Sequence, residues 1–209
     1  MPIRVAQVMG KMLGGGVESV VMNYYRHIDR SKVQFDFLVD ADSTRVPEEE
    51  IKALGGRVFR IPPYQHPLRY RKELVRLFHE EHWPIVHSHI NTLSVFPLSA
   101  AKKAGVPVRI AHSHSTMGKG EFAKNLMKLA LRPLSNLYPT ECFACSEYAG
   151  KWLFGRNAEF TVIPNAIELE KFHFDPVIRQ ETRKELGIAD GMFLIGHVGR
   201  FMPQKNQAF

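Results

Sequence analysis

Apolar and polar positions along most of this chain fall into two alternating kinds of run. Short apolar runs, several rich in β-branched and aromatic residues, occupy Ile3 to Met9, Phe35 to Asp40, Arg57 to Ile61, Pro84 to His89, Val106 to His112, Glu141 to Cys145 and Phe160 to Ile163. Between them lie Val17 to Ile28, Pro47 to Leu54, Leu68 to His82, Leu93 to Ala104, Phe122 to Leu137 and Glu147 to Phe154, which read as helices. Runs such as Ile85 to Ile90 and Pro107 to His112 begin without clean polar alternation, as expected of strands covered on both faces by helices. Repeated β-α units of this kind predict an α/β fold with a Rossmann-like, doubly wound parallel sheet.

After Pro164 the pattern changes to an irregular stretch and then a charged helix, Val177 to Leu186, stopped by Gly187. One further strand is expected over Phe193 to Val198, followed by the loop Gly199 to Asn206 and the opening of a helix at Gln207. The expected organisation is a Rossmann-like domain over 1–172, a linker over 173–190, and the first strand and loop of a truncated second domain over 191–209. A single strand with the first turn of its crossover helix cannot bury its own faces, which is the reason for reading a truncation.

Composition narrows the function classes. The 209 residues are 44% hydrophobic, with 14 Phe and 23% charged residues, which suits a globular chain able to bury a core. Ile3 to Met9 starts too close to Met1 for a signal peptide, and Leu93 to Ala101 is far shorter than a membrane span, so a soluble, cytoplasmic protein is expected. A formal charge of +7 favours anionic partners. No helix-turn-helix spacing, zinc finger or aromatic RNP-type strand accompanies it, which points away from nucleic acid toward phosphorylated small molecules or lipid headgroups. Cys142 and Cys145 lack a second ligand pair, and residues three apart on a strand face opposite sides, so neither a zinc nor a redox site is read there.

Four groups could carry chemistry. The loop Gly10 to Gly16 follows the first strand and opens a helix, a geometry suited to a phosphate or sugar, with a flexible surface turn as the bland reading. It misses the dinucleotide fingerprint, since Gly14, Gly16 and Asp40 are joined by Ser19 where Gly or Ala belongs, and it lacks the Lys and Ser or Thr of a Walker loop. His87-Ser88-His89 and His112-Ser113-His114 close neighbouring strands, so all four imidazoles should meet on one face, as substrate- or proton-handling groups, as metal ligands or as packing. Lys119 to Arg132, with Lys124, Lys128 and Arg132, and Leu68 to Phe78, with Arg69, Arg71, Lys72 and Arg76, could lie on anionic membrane or form solvated edges. Gly199-Arg200 with Lys205 places two cations beside an incipient helix, suited to stabilising a diphosphate leaving group.

These motifs together resemble glycosyltransferase family 4, retaining enzymes of the two-domain GT-B fold, in particular bacterial polysaccharide-type members. The resemblance is carried by Gly14 to Glu18 (G-G-G-V-E), Ala111 to Ser115 (A-H-S-H-S), Phe143 to Glu147 (F-A-C-S-E), Val162 to Ile167 (V-I-P-N-A-I) and Val198 to Asn206 (V-G-R-F-M-P-Q-K-N), and covers essentially the whole chain. It implies transfer of a sugar from a nucleotide-diphosphate sugar to a glycan or lipid-linked acceptor with retention, in capsule or exopolysaccharide synthesis, without a required metal or other cofactor. Gly15, Gly16, Arg200 and Lys205 are then the donor-phosphate residues, and His114, or His112, the histidine beside the reacting sugar. His89, Asn91 and Asn165 are candidates for the acceptor side. The family's pair of glutamates has no counterpart here, so the chain alone is expected to be inactive. Competing readings are a non-catalytic acceptor or membrane-surface binding module, a histidine-ligated metal-dependent hydrolase, and a sugar-nucleotide epimerase of the same architecture.

Overall fold

The computed structural model describes residues 1–117, 122–199, 201 and 205–207, with the side chains of residues 123 and 124 excepted. The expected α/β architecture is present. Seven strands, β1 (Ile3–Gly10), β2 (Val33–Asp40), β3 (Arg57–Ile61), β4 (Ile85–Ser88), β5 (Val108–Ser113), β6 (Glu141–Ala144) and β7 (Thr161–Val162), form one sheet in the order β3-β2-β1-β4-β5-β6-β7. All adjacent pairs run parallel. The order reverses between β1 and β4, which opens a crevice at their carboxyl ends, the usual ligand position of such sheets.

Helices α1 (Gly16–His27) and α2 (Glu48–Ala53) supply one layer, and α3 (Pro67–Glu81), α4 (Val95–Lys103) and α6 (Glu147–Phe154) another, with α5 (Phe122–Leu131) between β5 and β6. The two layers are legible in two separate cores. Tyr25, Phe37, Met22 and Ile51 pack together under α1 and α2. Trp83, Phe78, Tyr70, Leu74 and Leu98 pack on the opposite face. Because successive strand residues face opposite sides, Ala6 and Val8 enter the second core while Met9 and Phe37 enter the first.

Local chemistry sets the element ends. Pro67 begins α3 at a position needing no backbone donor, and His82 ends it in the left-handed region, φ 51°. Ser146 caps α6 by accepting from Ala149 N at 3.2 Å, and Asp175 caps α8 (Pro176–Glu185) through Val177 N and Ile178 N. The amino-terminal end of the sheet is pinned by Asp36, wholly buried on β2. Its carboxylate accepts from Arg4 Nε at 2.8 Å, Arg57 Nη2 at 2.7 Å and Trp83 Nε1 at 2.7 Å, holding its pKa down at about 2 despite burial.

The chain forms two compact units that divide after Ala166. The second contains α7 (Leu169–Phe172) and α8. Phe193 to Val198, expected as a strand, has no regular structure and is exposed throughout. A β-strand is defined by its ladder, and among the described residues nothing lies beside this run to pair with it. The helix expected over Leu93 to Ala104 is split into a 3-10 turn at Asn91–Ser94 and α4, and that over Phe122 to Leu137 ends in a 3-10 turn at Arg132–Leu134, where Pro133 removes a helix donor.

Candidate functional site

The crevice is bounded on one side by the loop after β1. The register of β1 against β2 slips between Val8 and Gly10, a bulge that turns the strand out of the sheet. Gly10 takes φ +68°, and a Cβ there would come within 2.9 Å of Ile90 Cγ2, so the loop crosses the end of β4 at a separation only glycine permits. Further on, the backbone N–H groups of Leu13, Gly14 and Gly15 all donate to the carboxylate of Glu18, at 2.9, 2.6 and 2.7 Å. This is the helix-side half of a capping box extended into an anion nest, with the side chain of the third helical residue as its occupant. Gly15 therefore spends its amide on Glu18, whereas Gly16 is exposed with no neighbour where a Cβ would stand.

The other side is built by the two His-Ser-His triplets. Gln7 pairs in register with His87 and His87 with Ile110, so Gln7, His87 and His112 lie on one face of the sheet. The four rings meet there as expected. His87 Nε2 lies 3.1 Å from His112 Nδ1, and His89 Nδ1 lies 2.9 Å from His114 Nε2. The ring centroids of His112 and His114 are 3.9 Å apart and those of His87 and His89 4.1 Å. The intervening serines point the other way, Ser88 to Ser94 Oγ at 2.9 Å and Ser113 to Ala149 O at 2.9 Å.

Burial keeps these imidazoles neutral. His87 is pushed down to about 3, His112 to about 2 and His114 to about 4, and His89 lies well below the ordinary value, in each case because the charged ring would lose its water. Nearby rings of the quartet depress His87, His89 and His112 further. His112 is 4% exposed, and its Nε2 is buried without a hydrogen-bond partner. His114 keeps partial exposure, and its backbone N–H donates to Asn91 Oδ1 at 2.8 Å. Asn91 sits at φ 51° and also donates to Ser115 Oγ at 3.1 Å, bridging the ends of β4 and β5. Asn91 is thus a holder of the His114 backbone.

A cavity of about 170 Å³ opens beside the quartet, lined by Gln7, Tyr24, His87, His112, His114 and Ile163 among others. Its far wall is tied to α1 by the segment after β7, where Tyr24 Oη donates to Pro164 O at 2.7 Å and Asn23 Nδ2 to Ala166 O at 3.0 Å. Asn165, between those two anchors, is exposed. Gln7, Asn23 and Tyr24 escaped the sequence reading; the one signal was Gln7, a polar residue with apolar neighbours on both sides along β1. Asp40, at the end of β2, is buried and raised to about 6, chiefly by burial and secondarily by Asp42.

His87, His89 and His112 have ring nitrogens within 4.8 Å of one another, a spacing that a divalent ion could gather with small ring movements. The same nitrogens are largely engaged already by other imidazoles and by Gln7, and among the described residues no carboxylate joins the group.

Of the remaining predicted residues, Arg200 lies outside those described, and Lys205 is exposed in the second unit, its aliphatic stem 3.4 Å from where a Cβ on Gly199 would stand. The expected basic faces are partly turned inward. Lys128 Nζ donates to Thr116 O at 3.2 Å, and the Arg132 guanidinium stands over the Trp152 ring at 5.7 Å, while the Lys124 side chain lies outside the described residues. Arg76 is paired with Glu73 and Glu80. Arg69, Arg71 and Lys72 remain exposed. Cys142 and Cys145 are free thiols, the former raised to about 11 by burial.

Comparison with known proteins agrees with the fold. The sequence pattern of Glycosyltransferase Family 4 matches residues 14–171. A putative glycosyltransferase, EpsF, of Bacillus subtilis (strain 168) is 40% identical over 99% of this chain and 56% of its own length. The Escherichia coli UDP-Gal:alpha-D-GlcNAc-diphosphoundecaprenol alpha-1,3-galactosyltransferase is 28% identical over 99% of this chain and 56% of its own. The crystal structure of Anabaena HepE in complex with UDP-glucose superposes with a TM-score of 0.73 at 18% identity, covering 98% of this chain and 55% of HepE. The chain thus spans about half the length of the relatives it matches. By the extent of the pattern and the 40% identity to EpsF, it belongs to glycosyltransferase family 4.

Proposed function

We propose that this chain forms the acceptor-side half of a transferase that moves a sugar from a nucleoside-diphosphate sugar to a glycan or lipid-linked acceptor, with retained anomeric configuration and in extracellular polysaccharide synthesis. The observation that carries the reading is the convergence of four neutral imidazoles and a glycine loop on the crevice between β1 and β4. Support comes from the relatives: one is named for a UDP-galactose donor and an undecaprenol-diphosphate acceptor, and another holds UDP-glucose. In this reading the bond from the anomeric carbon to the diphosphate breaks, the acceptor oxygen bonds to that carbon from the same face, and the acceptor proton leaves on the departing phosphate. Neutral His114 accepts a hydrogen bond from a sugar hydroxyl beside that centre. Gly16 lets backbone approach the donor, and Arg200 and Lys205 offset the charge developing on the diphosphate. No metal is required in this reading, because these cations take the role a divalent ion would otherwise have.

The place of action is the cytoplasmic side of the membrane that carries the acceptor. No helix among the described residues is long and apolar enough to cross a bilayer. On α5, Phe122, Leu126 and Leu129 are exposed at spacings that put them on one stripe, which suits peripheral contact with an anionic surface.

The test is calorimetric titration of this chain, and of a version extended through a complete second domain, with a panel of nucleoside-diphosphate sugars. Binding is expected in the extended protein, and Lys205→Ala should weaken it about tenfold, the loss of one charge-assisted hydrogen bond. Unchanged affinity in Lys205→Ala would overturn the diphosphate assignment. A second reading, metal-dependent hydrolysis, has the spacing of His87, His89 and His112 in its favour and requires one zinc per chain surviving dialysis.

A further inference from the structure

Gln7 lies at the inner end of a polar chain that runs through the quartet to the crevice. It is 1% exposed on β1, and its Oε1 stands 2.7 Å from His89 Nε2, a partner 82 residues distant in sequence. An amide oxygen can only accept, so His89 Nε2 must carry the hydrogen. A neutral imidazole has one hydrogen to place, which leaves His89 Nδ1 with a bare lone pair. That nitrogen is 2.9 Å from His114 Nε2, so His114 must donate, and its own hydrogen is thereby committed to Nε2. The Nδ1 of His114 is left as an acceptor on a ring that lines the cavity. The His114 backbone is meanwhile held by Asn91, so ring and main chain are fixed by separate partners.

We propose that Gln7 is a positioning residue which, acting through His89, sets the tautomer of His114 so that Nδ1 presents a lone pair to a hydroxyl of the bound sugar substrate. The inference rests on the reading of His114 as the histidine beside that substrate. The device is directional. Were the amide of Gln7 replaced by a group unable to accept, nothing would select between the two neutral forms of His89, and the choice would no longer pass to His114. An ionised carboxylate at the same place preserves the order of donors only while His89 stays neutral, since an imidazolium at His89 would donate from both nitrogens.

The experiment is a long-range proton–nitrogen correlation spectrum of the uniformly nitrogen-15-labelled full chain, with the His114 signals identified by their loss in His114→Asn. The expected spectrum has His114 and His89 both protonated at Nε2 and bare at Nδ1, a wide separation between the two ring nitrogens of each. In Gln7→Leu that separation should shrink for both rings as the two neutral forms mix. A wild-type His114 protonated at Nδ1, or a Gln7→Leu spectrum indistinguishable from wild type, would overturn the proposal. If Gln7→Leu does not fold, wild type decides it alone, because a Nδ1-protonated His114 there contradicts it. The spectrum needs no substrate, so a failed nucleotide titration removes the sugar from the inference without touching the tautomer, and the reverse failure leaves the glycosyltransferase reading intact.

Discussion

Lowering the pH should unfold this protein through its histidine quartet. An unfolded chain protonates histidine below about 6.5, whereas the folded quartet holds His87, His89, His112 and His114 neutral to much lower pH. The folded state therefore binds fewer protons, and the stability present above 6.5 is lost as pH falls below it. At about pH 5.5 each such group costs about 1.4 kcal/mol, or about 6 kcal/mol for the four. Asp40 opposes this. Its folded pKa of about 6 lies above the ordinary 3.8, so its protonation in the same interval returns about 1 kcal/mol. Asp36, ionised in both states until the pH approaches 3.8, contributes nothing to the interval. A net loss of about 5 kcal/mol rivals the whole stability of many domains. With a urea slope of about 2 kcal/mol per molar, the denaturation midpoint should drop by about 2.5 M between about pH 7.5 and 5.5. His87→Asn combined with His112→Asn should roughly halve that drop. A midpoint that moves by less than about 0.5 M across the interval would refute the claim that the folded quartet excludes protons.

Asp36→Ala leaves the Arg4 guanidinium and a buried indole N–H without their carboxylate, while Arg57 keeps Glu81, and should cost about 3 kcal/mol, read as a fall in urea midpoint at neutral pH. Gly150→Ala brings a Cβ to 2.3 Å from the Phe160 ring; a loss of about 1–3 kcal/mol is expected, partly recovered when Phe160→Leu is added. Gly16→Ala meets no atom, so the melting temperature should hold while affinity for a nucleoside-diphosphate sugar falls in the protein extended through its second domain; retained affinity would remove Gly16 from the site. Asp40→Asn should raise stability at about pH 8, by up to about 3 kcal/mol, and flatten the dependence on pH between 4 and 6.

Much of the crevice was readable before any coordinates, for identifiable reasons. A triplet with histidines two apart must put both rings on one face of a strand, and two such triplets on adjacent parallel strands must meet. The glycine run before α1 was read as a place where backbone can approach closely, and in the structure Gly10 and Gly14 take positive φ. The strand expected at Phe193 to Val198 shows the limit of such reasoning. Its residues have strand character, but strand formation needs a neighbour, and composition carries no information about one. The basic stripe of α5 was read from spacing alone, which could not foresee that Lys128 would turn to Thr116 O or Arg132 to Trp152.

By itself the sequence determined the alternation of strands and helices through β7 and the shared face of the two histidines in each triplet, because these follow from local periods of two and 3.6 residues. Only the tertiary structure decided what those groups touch. Gln7 reaches His89 across 82 residues, and Asn23 and Tyr24 reach the segment after β7 across 143 and 140. Strand order 3-2-1-4-5-6-7 brings these partners together. Protonation was settled at the same level, since the imidazoles are neutral because burial among residues distant in sequence takes water from around the charged form.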